Sequence, residues 1–488
     1  MPTGRTLWED TIRILLATDN HVGYLERDPV RGDDAVRTFE EIVLLAKEHD
    51  VDAMVLSGDL FHENKPSRKS MHQVASILRE HCLGDRPCSL ELISDPSINF
   101  PGQFSTVNYQ DPNINVSLPV FTIHGNHDDP TGDGDLAAMD LLSISGLVNH
   151  FGRTTAVDDV RISPVLLRKG STYLSLYGLG ALRDERLHRA FLQQQVRLFR
   201  PPSVPTATNA NEDWFNMFLI HQNRVPHGPT NYIPEHFIDD SMDLVIWGHE
   251  HDCRIDPEWN SRQQFYVVQP GSSVATSLSE GETKRKYVAL LEIKGRTFRL
   301  KKIPLRTVRP FVMDHVCLAE QKGLKTTHPA SVEAFLKEKV LELIQKAREQ
   351  WEEEEGEREM GSEEGRPEFP KPLIRLKVDY SGGFSTLNTQ RFGQQFADQV
   401  ANPREILHFH RRRSNSSALQ LRKEGQDGGI LDVGKVEDGD KMDELGVVDL
   451  VKQHLEDQGQ SLEILPASGM DEAVRQFTDK EEREAIRM

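Results

Sequence analysis

The chain has 488 residues and a formal net charge of −19, from 58 Lys plus Arg against 77 Asp plus Glu, with 37% hydrophobic residues. That length exceeds what one hydrophobic core normally serves, so at least two domains and some linker are expected. No stretch is long and apolar enough to span a bilayer, the net acidity taken alone argues against a nucleic-acid partner, and the four cysteines form no CxxC pair or dense framework and read as reduced structural thiols.

The opening MPTGRTLWED has no basic patch followed by a hydrophobic region, so no secretory leader is expected and the protein is placed inside the cell. Residues 12–17 are a short run rich in branched residues that ends in ATDNHVG, the pattern of a buried strand feeding a functional loop. Helical spacing over 35–47 puts Val36, Phe39, Ile42, Val43 and Ala46 on one face. The strand 53–56 ends in LSGDLFH, and a second amphipathic helix over 67–83 aligns Met71, Val74, Ile77 and Leu78. Residues 85–118 form an unusually long loop for a compact domain, with Phe100, Phe104 and Tyr109 expected to be exposed. The strand 120–123 ends in HGNHDD, and a helix over 135–148 carries Leu136, Met139 and Leu142 as an apolar stripe. Strands at 173–177, 217–220, 244–247, 265–268 and 287–293 follow, the second ending in FLIHQN and the third in IWGHEHD. Such alternation predicts a layered α/β domain whose site is built from loops at strand ends.

A second region begins near Leu305. It has a helix over 331–355, an acidic, glycine-bearing linker through Arg366, a strand in LIRLKVDY, a helix over 389–400 and a strand in REILHFH, together a small α+β module. Residues 414–429 read as flexible linker. Helices over 442–456 and 470–486 follow, and the first carries Val447, Val448, Leu450, Val451 and Leu455 with no core of its own. Docking into a partner's groove and packing back on the chain's own domains both fit. Bases cluster at Lys284, Arg285 and Lys286, from Lys294 to Arg309, and at Arg411, Arg412 and Arg413; they read equally as phosphate contacts or as plain solubility.

The motifs share one chemistry. Asp19 and His21 are one residue apart, so on extended backbone both side chains project to the same side and reach one ion. Asp59 follows Gly58, where glycine permits a sharp turn, and its two oxygens can bridge two ions. Asn126 follows Gly125 and offers a neutral amide oxygen; His221 adds an imidazole; His249 and His251, after Gly248, can give one imidazole to each ion. A lone Gly-Asp or strand-end histidine is more often structural. The ordered combination points to two adjacent divalent metals and cleavage of a phosphate ester. His62 and His127 share these motifs without being needed to hold ions, and His49, His81 and His150 are assigned to the surface.

The series DxH, GDxxH, GNHD, H and GHxH resembles the calcineurin-like metallophosphoesterases. TDNHVG, SGDLFHENKPS, HGNHDDPTG, IHQNR, VIWGHEHDC and QPGSSVATSL closely resemble the eukaryotic Mre-eleven nuclease family, related to bacterial SbcD, and DYSGGF and ANPREILHFHRRR match its capping domain. The resemblance covers nearly the whole chain. It implies a four-layer sandwich, two sheets flanked by helices, over 1–304, a smaller α+β capping domain over 305–413, a linker over 414–441 and C-terminal helices over 442–488. It implies two manganese ions, one held by Asp19, His21, Asp59 and His251 and the other by Asp59, Asn126, His221 and His249. His127 would act on the scissile phosphate or leaving oxygen, and His62 would stabilise the transition state. The implied activity is 3′-to-5′ exonuclease and single-strand endonuclease cleavage of DNA in double-strand-break repair and meiosis, in the nucleus.

The same resemblance implies a homodimer through helices 67–83 and 135–148, an FHA/BRCT regulatory subunit on 85–118, a Rad-fifty-type coiled-coil ATPase on 442–488, and DNA ends as substrate. Two alternatives stay open. One is a metallophosphatase acting on phosphoproteins or nucleotides, although TDNHVG stands here instead of the GDxHG of protein phosphatases, and Asp128 where they carry Glu. The other is a nuclease-inactive scaffold for an SMC-like ATPase, which intact His62 and His127 speak against.

Overall fold

The computed structural model describes residues 9–130, 134–154, 156–203, 214–356 and 368–411. In chain order the first strands and helices are β1 (Ile12–Ala17), α1 (Asp34–Glu48), β2 (Ala53–Ser57), α2 (Arg68–Cys82), β3 (Glu91–Leu92), α3 (Pro96–Asn99), β4 (Val120–Ile123), α4 (Ala138–Ile144) and β5 (Asn149–His150). Then come β6 (Val160–Ile162), β7 (Val165–Lys169), β8 (Thr172–Leu179), α5 (Asp184–Leu192), β9 (Val196–Leu198), β10 (Trp214–His221) and β11 (Leu244–Gly248). The strands β12 (Arg254–Asn260), β13 (Phe265–Gln269), β14 (Tyr287–Lys294) and β15 (Thr297–Pro304) follow. Last are β16 (Phe311–Cys317), α6 (Pro329–Gly356), β17 (Leu373–Asp379), α7 (Thr389–Gln394) and β18 (Leu407–His410).

Two sheets result, one in the order β15-β14-β1-β2-β4-β5 and one in the order β12-β13-β11-β10-β8-β7-β3. Period-two alternation assigns their faces. Ile14 and Leu16 of β1, Val55 of β2 and Phe121 of β4 join Phe215, Met217 and Leu219 of β10 and Ile246 of β11 in one core between the sheets. Leu15 and Ala17 of β1 and Met54 and Leu56 of β2 point the other way, onto Phe39, Ile42 and Val43 of α1 and Val74 and Leu78 of α2. The outer face of the second sheet, Phe218, Ile220, Val245 and Trp247, is covered by Leu187 of α5, the β6–β9 pair and the loop residues Ile233, Ile238 and Met242. That outer layer is therefore part helix and part strand and loop. Strands buried on both faces carry no polar alternation, which is why β10 and β11 read as unbroken apolar runs.

The parallel sheet β16-β17-β18 packs Val312, Val316, Ile374, Leu376 and Val378 against Leu336, Val340 and Leu343 of α6 and Phe392 near the start of α7. Arg309 ties this sheet back to α1, with Nε 2.6 Å from Asp34 and Nη2 donating to the Val30 carbonyl. Among the described residues no helix is long and apolar enough to cross a membrane. The expected linker over 414–441 and the helices over 442–456 and 470–486 lie outside the described residues.

Several sequence expectations change. The helix expected over 135–148 is only α4, because Asp135 before it and Gly146 after it take left-handed backbone, at φ 51° and 72°. Within it Met139 and Leu142 face their own core; the exposed apolar residues are Leu136, Leu141 and Ile144. The helix expected over 389–400 ends at Gln394, although Phe396 and Val400 stay buried. The long segment over 85–118 is ordered by its own apolar groups: Phe100 is buried in the inter-sheet core and Tyr109 packs on it, leaving only Phe104 of the three aromatics exposed. His150 is buried, not a surface residue, and bonds Asp140 at 2.9 Å.

Candidate metal centre

Parallel pairing aligns the C-terminal ends of β1, β2 and β4 in one sheet and of β10 and β11 in the other. Ser57 stitches the two sheets where those ends meet: its carbonyl accepts from Thr18 Oγ1 at 3.0 Å and from His221 Nδ1 at 2.7 Å. Every motif loop opens from this edge. The loops are laced together, since Asp19 N–H donates to the Gly58 carbonyl at 3.1 Å, His21 N–H to the Asp59 carbonyl at 3.0 Å and Ser273 N–H to the Asp19 carbonyl at 3.1 Å.

The backbone that aims the ligands is not the extended one expected from the spacing. Asp19, His21, Asp59 and His249 all take positive φ, at 50°, 48°, 51° and 82°. Asp and His tolerate this region better than most side chains, yet each instance costs on the order of 1–3 kcal/mol. Left-handed turns bring Asp19 and His21 inward one after the other, so the convergence expected from alternation is reached by a different route. The glycines before the ligands act mainly by leaving space. A Cβ on Gly58 would sit 2.3 Å from the His221 ring, one on Gly125 2.0 Å from Asp59 Oδ1, and one on Gly248 2.3 Å from the Ser57 carbonyl. Only Gly58 among them also needs positive φ.

Two donor clusters carry a carboxylate, Asp19–His21–His251 and Asp59–His221–His249, and a third, His21–His62–His127, is built of imidazoles alone. His251 Nε2 lies 3.6 Å from Asp19 Oδ1 and 3.0 Å from His21 Nε2; His221 Nε2 lies 3.3 Å from Asp59 Oδ2. Asn126 Oδ1 stands 2.8 Å from His249 Nδ1 and 3.2 Å from His221 Nε2. The hydrogen bonds fix which ring nitrogen faces inward. His221 donates Nδ1–H to a carbonyl, so Nε2 points at the site. His249 bonds Asn223 Oδ1 through Nε2 at 2.9 Å, while Asn223 Nδ2 donates to Asp184, so His249 presents Nδ1. His251 donates Nδ1–H toward Glu282. All seven expected ligand residues therefore meet in one place.

Electrostatics show what the cluster lacks. Asp19 and Asp59 are fully buried, and Asp19 Oδ1 and Asp59 Oδ2 accept no hydrogen bond from any described group. Leaving a buried acceptor unsatisfied costs about 1–3 kcal/mol, and more for a charged one. Burial works against charge on His221, yet Asp59 and Asp19 overcome it and push its pKa up to about 10. Burial, with His221 beside it, takes His249 down to about 3. The pocket draws positive charge to its centre, where Asp59 Oδ2 and Asp19 Oδ1 have only the ring nitrogens of His221, at 3.3 Å, and His251, at 3.6 Å, as ion-pair neighbours. Oxygen and imidazole donors without a thiolate suit divalent manganese, iron or zinc. Cys253 takes no part, its thiol pushed up by burial.

His62 and His127 flank the cluster, their rings stacked with centroids 4.9 Å apart. His127 N–H donates to Asp59 Oδ1 at 2.8 Å and its Nδ1–H to the His62 carbonyl at 2.8 Å, so Nε2 is the free end of the ring. Burial, and then His127, lower the His62 pKa. Sequence reasoning missed Glu282, which touches His251 from outside every ligand motif, and passed over Ser57 in LSGDLFH and Asn223 in FLIHQN, which touch His221 and His249. Asp128 is also internal: it accepts from Gly125 N–H at 2.7 Å and Phe61 N–H at 3.2 Å and shapes the third loop, and burial with Asp59 nearby pushes it up to about 7. The basic cluster is largely neutralised, with Lys284 on Asp252, Arg296 on Asp243, Lys302 on Asp256, and Lys286 buried against Glu282.

Comparison with known proteins identifies relatives of the chain. Residues 12–253 match the family model described as calcineurin-like phosphoesterase, and residues 298–477 match the one described as Mre11 DNA-binding presumed domain. The chain is similar to the double-strand break repair protein MRE11 of Rattus norvegicus, at 50% identity over 98% of this chain and 65% of that protein. The Homo sapiens protein of the same name is 49% identical over 98% of this chain and 65% of its own length, and that of Coprinopsis cinerea 47% over 98% and 66%. The chain thus spans about two thirds of the length of these relatives.

Gly125 has ordinary backbone, so Gly125→Ala tests space alone. The added methyl should displace Asp59 and weaken divalent-metal binding by roughly 10–100-fold, the range for disturbed ligand shells. Calorimetric titration checks it, with circular dichroism to confirm the fold; unchanged affinity would mean that Asp59 shifts without loss.

Proposed function

Because this chain belongs to the Mre11 family of calcineurin-like phosphoesterases, we propose that it is a manganese-dependent DNA nuclease of double-strand-break repair. One ion would be held by Asp19, His21, Asp59 and His251, the other by Asp59, Asn126, His221 and His249. Bound there, they would supply Lewis-acid activation of water and offset charge on the phosphoryl oxygens. The chain's own residues do the rest. Asp59, fixed by the His127 amide, faces both clusters, and His127 presents Nε2 to give a proton to the departing sugar oxygen. His62 stacks on that ring and steadies the transition state.

The observation that carries this reading is the pair of buried carboxylate oxygens that make no well-formed hydrogen bond at the centre of an imidazole cage, with a stacked histidine pair beside them. Duplex DNA ends are the favoured substrate, by exonuclease action from the 3′ end and endonuclease action on single strands, in the nucleus. The working division is a nuclease domain over 1–304, a capping domain over 305–413 and an ATPase-binding segment over 442–488, with the FHA/BRCT subunit on 85–118. The phosphatase reading shares the two-ion core and separates by substrate. In a Mn2+-supplemented assay the protein should cleave duplex DNA ends and leave a phosphopeptide intact. His127→Ala should cut DNA cleavage by about 10²–10⁴-fold, the usual weight of a general acid, with Mn2+ binding nearly unchanged. Retained cleavage removes His127 from the chemistry, and preferential phosphopeptide hydrolysis overturns the nuclease reading.

A homodimer is supported by an apolar groove of about 710 Å³ between α2 and α4, lined by Met71, Ala75, Leu136 and Leu141 among others. Leu136, Leu141 and Ile144 are each more than half exposed, an unusual concentration beside such a groove. Leu141→Arg should shift the protein from dimer to monomer in sedimentation equilibrium; a dimer of unchanged affinity places the contact elsewhere.

A further inference from the structure

Glu282 lies in the short turn Gly281–Thr283, outside every ligand motif, and is 2% exposed. Its Oε1 accepts the Nδ1–H of His251 at 3.1 Å and the backbone N–H groups of Thr276 at 3.1 Å and Ser277 at 3.3 Å. Thr276 Oγ1 shares that ring proton at 2.8 Å and donates to Oε1 at 3.2 Å. Oε2 accepts from Ser272 Oγ at 2.9 Å and from the buried ammonium of Lys286. A carboxylate surrounded by so many donors stays ionised and cannot swing in to become a ligand itself. It holds His251 in the tautomer whose Nε2 lone pair faces Asp19 and His21, and places negative charge behind that ring; Lys286, on the other oxygen, offsets part of the charge but not the orientation.

The other cluster has no such support. His221 is backed by the neutral carbonyl of Ser57 and His249 by the neutral amide of Asn223. Asp184 reaches His249 only through that amide, bonding Asn223 Nδ2 at 2.7 Å. The remaining oxygen donor, Asn126, is neutral and exposed.

We propose that Glu282 is a positioning residue that makes the two ion sites unequal, so that the Asp19–His21–His251 site fills before the Asp59–His221–His249 site. The inference rests on the two-ion reading above and adds an order of filling to it. The test is calorimetric titration of metal-stripped protein with Mn2+, a readout that does not depend on nuclease activity. Wild-type protein should show two steps, and Glu282→Gln should weaken the tighter one by about 10–100-fold, bringing the two together. Asn223→Ala should weaken only the second step. Because Glu282→Gln leaves Lys286 buried without its carboxylate, the double variant Glu282→Gln/Lys286→Met removes both charges and should lose the first step alike. Two equal steps in the wild type, or a loss shared evenly by both steps in the variants, overturn the inequality. Wild-type protein that takes up no Mn2+ overturns the two-ion reading itself.

Discussion

Two carboxylates buried side by side without enough hydrogen-bond donors are the constraint from which the rest of this structure follows. Asp19 and Asp59 sit at the meeting edge of two sheets, each with an oxygen that no described group serves. An isolated buried carboxylate of this kind costs several kcal/mol and is retained only where something else compensates it. Three imidazoles from the second sheet and its loops supply part of the compensation, and His221 is drawn toward protonation by the same carboxylates. The remainder is the work of a cation, and the nitrogens that the hydrogen bonds turn inward are placed for one.

Much of the molecule serves that placement. The inter-sheet core brings the ends of β1, β2 and β4 against those of β10 and β11, and the carbonyl and hydroxyl of Ser57 join the two edges. Left-handed backbone at Asp19, His21, Asp59 and His249 is strain concentrated where the ligands must converge. Glycines at 58, 125 and 248 let neighbouring side chains approach more closely than any Cβ would allow. The groups around the cage divide by charge: a buried, saturated carboxylate stands behind His251, whereas neutral oxygens stand behind His221 and His249. Stacked His62 and His127 lie on the partly exposed side of the cage.

What the sequence disclosed and what it concealed divide along physical lines. Buried parallel strands are short, branched and apolar, so β1, β2, β4 and β11 could be read nearly to the residue and the C-terminal half of β10 with them, along with the candidate ligands at their ends. The route of convergence could not: alternation suggested extended backbone at Asp19 and His21, and left-handed φ leaves no mark in residue spacing. Glu282 was hidden because its link to His251 spans 31 positions and depends on tertiary packing. Phe100 and Tyr109 were misplaced because a loop rich in Asn, Pro and Ser masks the few aromatics that anchor it to the core. The stripe on α4 was misassigned because a single helical face does not say which of its edges meets the sheet; there Met139 and Leu142 face inward and Leu141 and Ile144 outward.

The central claim is that Asp19 and Asp59 belong to a site for two adjacent cations. Anomalous diffraction at the manganese edge, from crystals grown with excess Mn2+, addresses it without any assay of turnover. The account predicts two peaks roughly 3.5–4 Å apart, as in two-metal sites generally, one against Asp19, His21 and His251 and one against Asp59, His221 and His249. A single peak, or peaks remote from these carboxylates, would contradict it.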